Sequence, residues 1–164
     1  MDRDEVARVM AQPIAQELLG SSTPARLAYT GLDGGPRVVP VGFEWDGERI
    51  VIGTVPRSAK VAALRRDPRV AITVDTIGWP PRVLLVRGTA RLETVRGVPD
   101  VYVAASRKLV PAAEFPAWEA GVHALYDEMV LIAFEPDHAV LLDFETTLPQ
   151  AVAEIIAEKT AAAP

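Results

Sequence analysis

A mainly β, α+β fold, in which antiparallel strands build a small closed or partly closed barrel flanked by short helices, is what this sequence predicts. Two observations carry that expectation. Short apolar runs rich in Val, Ile and Leu recur along the chain, separated by turn residues. Asp-Gly pairs at Asp33-Gly34 and Asp46-Gly47 stand between the first three runs. Asp-Gly is a strong hairpin signal, because both central residues of a type I′ turn need positive φ. Six or seven antiparallel strands with short helices between them favour closure, which removes exposed sheet edges.

The elements follow in order. Val6, Val9 and Met10, then Ile14, Leu18 and Leu19, recur at helical spacing. Pro13 either separates two short helices or starts the second, and Gly20 with the Ser-Ser-Thr-Pro run after it ends the segment. Residues 26–32, 36–45 and 48–55 read as a three-stranded antiparallel meander. Residues 58–66 form a short helix with Val61 and Leu64 inward. Asp67-Pro68 ends it, since the residue before a proline is pushed out of the helical region. Residues 69–75 make a fourth strand and 82–93 a long fifth, with Gly88 marking a bend or bulge. Residues 98–127 read as two helical pieces interrupted near Pro111 and Pro116, and 128–136 and 138–145 as a final pair of strands. A helix from Pro149 to about Lys159, with Val152, Ile155 and Ile156 at helical spacing, closes the chain. With no internal repeat and no linker, residues 1–164 are read as one domain.

The stretches "RVVPVGF" and "RVLLVRG" are apolar on both faces. A barrel strand with an apolar outer face must be covered by a helix or by another subunit. The expectation is a homodimer; the alternative is that the flanking helices do all the covering.

Composition narrows the function classes. A chain of 164 residues can bury a core unaided. It has no cysteine, which excludes disulfides and thiolate metal sites and fits a reducing compartment. Residues 1–20 carry acidic side chains and do not resemble a signal peptide. No apolar run reaches the ~18 residues of a membrane span, so the expected location is cytoplasmic, with no membrane partner. A net charge of −5 disfavours a broad nucleic-acid-binding face. It leaves one basic cluster, Arg57, Lys60, Arg65, Arg66 and Arg69, which is either a solvated helix face or an anion site.

Side-chain catalysis finds little support. His123 and His138 are the only imidazoles, neither belongs to a G-x-S-x-G pattern, and both read as structural. Their spacing makes no metal ligand set, no carboxylate pair suggests acid–base work, and the glycine-rich nucleotide motifs are missing. One stretch offers another device for an anion, "GTVPRSAKVAAL" at 53–64. A helix N-terminus is already electropositive, so basic residues there are poorly placed unless something negative joins them. Thr54 ends a strand, Ser58 stands at the N-cap, first-turn amides point free, and Lys60 adds a full charge. Pro40 inside an otherwise convincing strand implies either an edge or a local break that leaves backbone groups free for a ligand.

Taken together, these motifs resemble those of the FMN-binding split barrels, the pyridoxamine 5′-phosphate oxidase-like group, and within it the actinobacterial flavin/deazaflavin-dependent oxidoreductases. The resemblance covers about residues 25–94 and the strands at 128–145. It lies in a strand, an Asp-Gly turn, an R-x-V-P strand, T-x-x-x-S-x-K before a helix, and a D-P-R-V strand. It implies a six-stranded antiparallel split barrel of Greek-key topology that dimerises, with two cofactor sites at the interface. The flavin ring would lie along Arg37, Val38, Val39, Pro40 and Val41, with main-chain groups near Val39–Val41 tuning it. Thr54, Ser58 and Lys60 would grip its phosphate, with Val55 and Arg57 beside them and Trp79 and Arg82 closing the site. Arg65 and Arg66 would suit the polyglutamate tail of coenzyme F-420. The chain lacks the C-terminal Arg-Leu-x-Pro segment of pyridoxamine phosphate oxidase proper, so that activity is not carried over.

The expected function is therefore a flavin- or deazaflavin-dependent oxidoreductase that moves hydride between FMN or F-420 and a small organic substrate. The cofactor carries the chemistry, so no catalytic side chain is assigned. The alternative is a non-catalytic flavin-, F-420- or haem-binding module on the same fold, with His123 or His138 as axial ligand in the haem case.

Overall fold

The structure, a computed structural model, describes residues 1–146 and 149–161. Two short helices open it, α1 (Arg3–Met10) and α2 (Pro13–Gly20). Asp2 and Glu5 form a capping box on α1. Pro13 sits in the first turn of α2, where its missing N–H would be unsatisfied anyway, so proline starts the second helix. Val6, Met10, Leu18 and Leu19 carry the two helices into the core.

The strands are β1 (Ala25–Thr30), β2 (Pro36–Val41), β3 (Glu44–Trp45), β4 (Ile50–Thr54), β5 (Arg69–Asp75), β6 (Arg82–Thr89), β7 (Arg91–Arg96), β8 (Glu128–Phe134) and β9 (Pro136–Asp143). Helix α3 (Ala59–Arg66) lies between β4 and β5. Helices α4 (Asp100–Arg107) and α5 (Phe115–Leu125) fall between β7 and β8, as the two helical pieces predicted for 98–127. Helix α6 (Gln150–Ala161) closes the described chain. Among the described residues no helix is long and apolar enough to cross a membrane.

The strands form two sheets, ordered β2-β1-β5-β6-β9 and β3-β4-β8-β7, with every neighbour antiparallel. This is a split barrel of two sheets around one core rather than a single closed ladder. Three local expectations change. The meander over 26–55 does not exist: β2 pairs β1 only, while β3 pairs β4 in the other sheet. The chain crosses at Gly42, where a Cβ would come within 3.1 Å of Leu109 Cδ1, and Phe43 then turns into the core at 2% exposure. The long strand 82–93 is likewise cut, β6 and β7 lying in different sheets on either side of Ala90. The bulge expected at Gly88 is present as a register shift between Arg87 and Gly88. A Cβ there would meet Glu135 O at 2.6 Å, so only glycine fits. The last two strands are neighbours in sequence but not in space: β8 lies between β4 and β7, and β9 pairs β6 at the edge of the larger sheet. Seven predicted runs thus become nine strands.

The alternation of β5 shows how the layers are built. Val70, Ile72 and Val74 face the core, and Ala71 and Thr73 face out. Leu27, Ile72 and Leu84 from one sheet meet Ile50, Ile52 and Ile132 from the other, all nearly or fully buried. On the smaller sheet, α4 covers the outer side at Gly53, where a Cβ would lie 2.8 Å from Tyr102 Cδ2. Among the described residues the larger sheet has no such cover at its centre. Ala28, Val38, Ala71, Val83 and Leu85 line a shallow apolar recess there, and Val38 is 65% exposed.

Candidate functional site

The strand β4 ends at Thr54, and a tight turn closed by Ser58 N–H donating to Val55 O at 3.0 Å leads into α3. Ser58 has the extended backbone of an N-cap, but its side chain makes no cap hydrogen bond. Its hydroxyl instead accepts from Lys60 Nζ at 2.8 Å, and Lys60 Nζ also donates to Thr54 Oγ1 at 3.1 Å. Thr54 is buried and Lys60 half-buried. Burial pushes the Lys60 ammonium below the usual lysine range. Among the described residues no carboxylate pairs with it, whereas Lys108 sits 3.0 Å from Glu44 Oε1. A half-desolvated cation at the electropositive end of a helix is unfavourable on two counts, and an incoming anion would reverse both. Thr54, Ser58 and Lys60, proposed from sequence as one cluster, are brought together. Val55 is half-buried in the turn, and Arg57 is exposed beside it.

The strand β2 divides by side. Arg37, Val39 and Val41 pair with Tyr29, Leu27 and Ala25 on the inner row, while Val38 and Pro40 point outward with Ala28 and Arg26. The five residues therefore share only the backbone edge, which is free because β2 is an edge strand; Pro40 fits there for the same reason. Arg37 lines a cavity of about 280 Å³ with Tyr29, Ala59 and Ala63, so β2 and the first turn of α3 face one concavity. Its guanidinium is 2.6 Å from Asp33 Oδ2. Arg37 and the Gly35 N–H together hold the Asp33 carboxyl below the usual range.

Trp79 and Arg82 do not join this cluster within one chain. Trp79 is 89% exposed in the β5–β6 connection, next to Ile77 at 97%, and its peptide bond to Pro80 is cis. Arg82 lies 3.4 Å from Glu17, 3.3 Å from Glu145 and 3.7 Å from Asp143. Its charge is already matched. Arg37 pairs across β1 with the Val70 end of β5, whereas Arg82 stands at the Asp75 end. The separation along the strand is roughly 20 Å at ~3.3 Å per residue.

The basic cluster is thinner than it reads in sequence. Arg69 makes two bonds to Asp67, at 2.9 and 2.7 Å, and Arg66 donates to Leu32 O at 2.7 Å. Arg65 is exposed in the last turn of α3. His123 is exposed on α5, and His138 is on the outer face of β9 opposite Arg87. Sequence reasoning missed Tyr102, which presses on Gly53 beside Thr54, stacks on Trp118 at 5.8 Å and has its phenol pKa raised by burial. A glycine inside a strand was the available signal, since it marks a close approach.

The profile of the pyridoxamine 5′-phosphate oxidase family matches residues 11–123, more than half of the chain. The chain belongs to the pyridoxamine 5′-phosphate oxidase family. Three solved structures illustrate the breadth of the fold it shares. An F-420 reductase is 24% identical over 76% of this chain and 94% of its own, with a TM-score of 0.58. A conserved hypothetical protein from Mycobacterium tuberculosis is 22% identical over 92% and 90%, with a TM-score of 0.57. The heme storage protein of Vibrio cholerae is 17% identical over 80% and 92%, with a TM-score of 0.56. No curated protein matches the chain. The matched span of the family contains β2, the Thr54–Ser58–Lys60 cluster and helix α4, and ends within α5.

Proposed function

We propose that this member of the pyridoxamine 5′-phosphate oxidase family is a cytoplasmic, homodimeric oxidoreductase that uses FMN or coenzyme F-420 to reduce or oxidise a small organic substrate. One observation carries the reading: a half-buried lysine bonded to the hydroxyls of Thr54 and Ser58, with which no carboxylate pairs among the described residues. That donor set suits a phosphate ester, which would take three directed donors in place of water. When bound, the flavin or deazaflavin supplies the hydride carrier.

The chain's own part is binding and placement. Lys60 would supply charge to the phosphate, and Thr54 and Ser58 would turn their hydroxyl protons toward its oxygens. Arg37 of β2 and Tyr29 of β1 line a concavity that Ala59, the neighbour of Lys60, also borders, and the free edge of β2 would offer main-chain groups to a flat ring. The uncovered apolar face around Val38, Ala71 and Leu85 supports a second copy as its cover. A partner is also the route by which Trp79 would reach a site that its own chain cannot bring it to.

The fold is shared by an F-420 reductase and a heme storage protein, so ligand binding must choose among them. Titration with FMN, F-420 and hemin, read by absorbance, followed by turnover with the reduced cofactor, tests the reading. Micromolar binding of FMN or F-420, weakened much more by Lys60→Ala than by Arg69→Ala, is the expected result. Failure of both cofactors to bind ends it, and a Soret band with hemin alone would support the haem-binding alternative.

A further inference from the structure

We propose that Lys60 is a selectively acylated amine: an acyl phosphate transfers its acyl group to Lys60 Nζ and thereby cancels the charge of the anion site. The chain has three lysines, in three different settings. Lys108 is 3.0 Å from Glu44 Oε1 and lies over the Phe43 ring at 4.8 Å. Both contacts occupy its amine end with a carboxylate and an aromatic face. Lys159 is exposed on α6 and fully hydrated.

Lys60 differs in its partners. Its Nζ is held at 2.8 Å by Ser58 Oγ and at 3.1 Å by Thr54 Oγ1. A hydroxyl donates as readily as it accepts, whereas a carboxylate only accepts. Neither hydroxyl carries a charge that would hold the third proton, and the neutral amine keeps two N–H groups for the same two oxygens, so its lone pair stays free. Burial shifts the balance the same way, toward the nucleophilic form. The residue is only half-buried, so a small reagent can reach it.

In the step, the Nζ lone pair attacks the acyl carbonyl carbon and a C–N bond forms. The bond from that carbon to the bridging phosphate oxygen breaks, and inorganic phosphate leaves with the electron pair. The extra Nζ proton passes to water, leaving a neutral amide; nothing is oxidised or reduced. The choice of a phosphate-bearing donor rests on the anion reading of Thr54, Ser58 and Lys60, whereas the nucleophilicity of Lys60 rests on its own setting.

The experiment treats the full-length protein at neutral pH with acetyl phosphate and, separately, with uncharged p-nitrophenyl acetate. Mass spectrometry follows acetylation at the three lysines. Lys60 is expected to react severalfold faster than Lys108 and Lys159 with both reagents, inorganic phosphate should slow the acetyl phosphate reaction, and Lys60→Arg should abolish the dominant adduct. Preference for Lys60 with p-nitrophenyl acetate alone overturns the acyl phosphate as donor and counts against the anion reading. No preference with either reagent overturns the nucleophile and leaves the anion reading standing.

Discussion

Replacing Lys60 by methionine separates a binding role from a structural one. The variant keeps most of the stem and loses the charge. On the unfavourable side, the Thr54 hydroxyl, at a buried position, and the Ser58 hydroxyl lose their donor. A buried hydroxyl left unmatched costs about 1–3 kcal/mol. Two gains oppose this. Removing a cation from the first turn of α3 returns about 0.3–1 kcal/mol, and an apolar side chain at a half-buried position returns on the order of 1 kcal/mol. The balance runs from about 1 kcal/mol stabilising to about 1.7 kcal/mol destabilising. Binding has no such offset: a hydrogen bond to a charged group is worth about 1.5–3 kcal/mol, or about 10- to 150-fold in affinity. Urea unfolding at constant m, together with titration of FMN or F-420 followed by fluorescence, measures both. A stability loss beyond about 2 kcal/mol with unchanged cofactor affinity would falsify the site assignment and make Lys60 a packing residue.

Four further outcomes follow from the structure. Cofactor affinity should fall as pH rises through the lowered folded value of Lys60. Stability of the cofactor-free protein should instead rise with pH from that value up to the ordinary 10.5, because there the unfolded chain binds more protons than the folded one; pH-dependent denaturation shows whether Lys60→Met removes that rise. Gly53→Ala places a Cβ 2.9 Å from Tyr102 Cβ, so it should cost about 1–3 kcal/mol; in a Tyr102→Gly background, which removes that Cβ together with the ring, the cost should largely vanish, and a double-mutant cycle that shows additivity rejects the contact. Val38→Glu on the exposed apolar face should leave monomer stability within about 0.5 kcal/mol while shifting sedimentation from dimer to monomer, and an unchanged sedimentation coefficient counts against that face as the interface.

Most individual elements were legible because their causes are local. Asp33-Gly34 and Asp46-Gly47 specify turns, and Gly34 and Gly47 do adopt positive φ, 81° and 99°, but Asp33 and Asp46 do not, so neither turn is the type I′ pair expected. Pro13 marks a helix start and Asp67-Pro68 a helix end through sterics within two or three residues. The core sides of β5 and α3 follow from simple periodicity, with Val61 and Leu64 buried as their spacing implies. The closing helix α6 also forms where Val152, Ile155 and Ile156 predict it, although these side chains stay exposed.

What the chain's own order determined, then, was where the helices and apolar runs lie, and that Thr54, Ser58 and Lys60 would lie close to each other at the opening of α3. Sheet membership was decided elsewhere. Whether β2 continues into β3 as one strand depends on Leu109 and Ala105 of a distant segment closing over Gly42, a contact that no local window contains. The fate of Arg82 likewise hangs on Glu17, Asp143 and Glu145, which reach it only when α2 packs on β6 and β9 pairs β6. Even at the opening of α3, the spacing made Ser58 a candidate cap, and the folded geometry turned its hydroxyl to Lys60 instead. Local preference is set by sterics between neighbours; these choices are competitions between partners, and a competition is resolved only once folding has brought every competitor within reach.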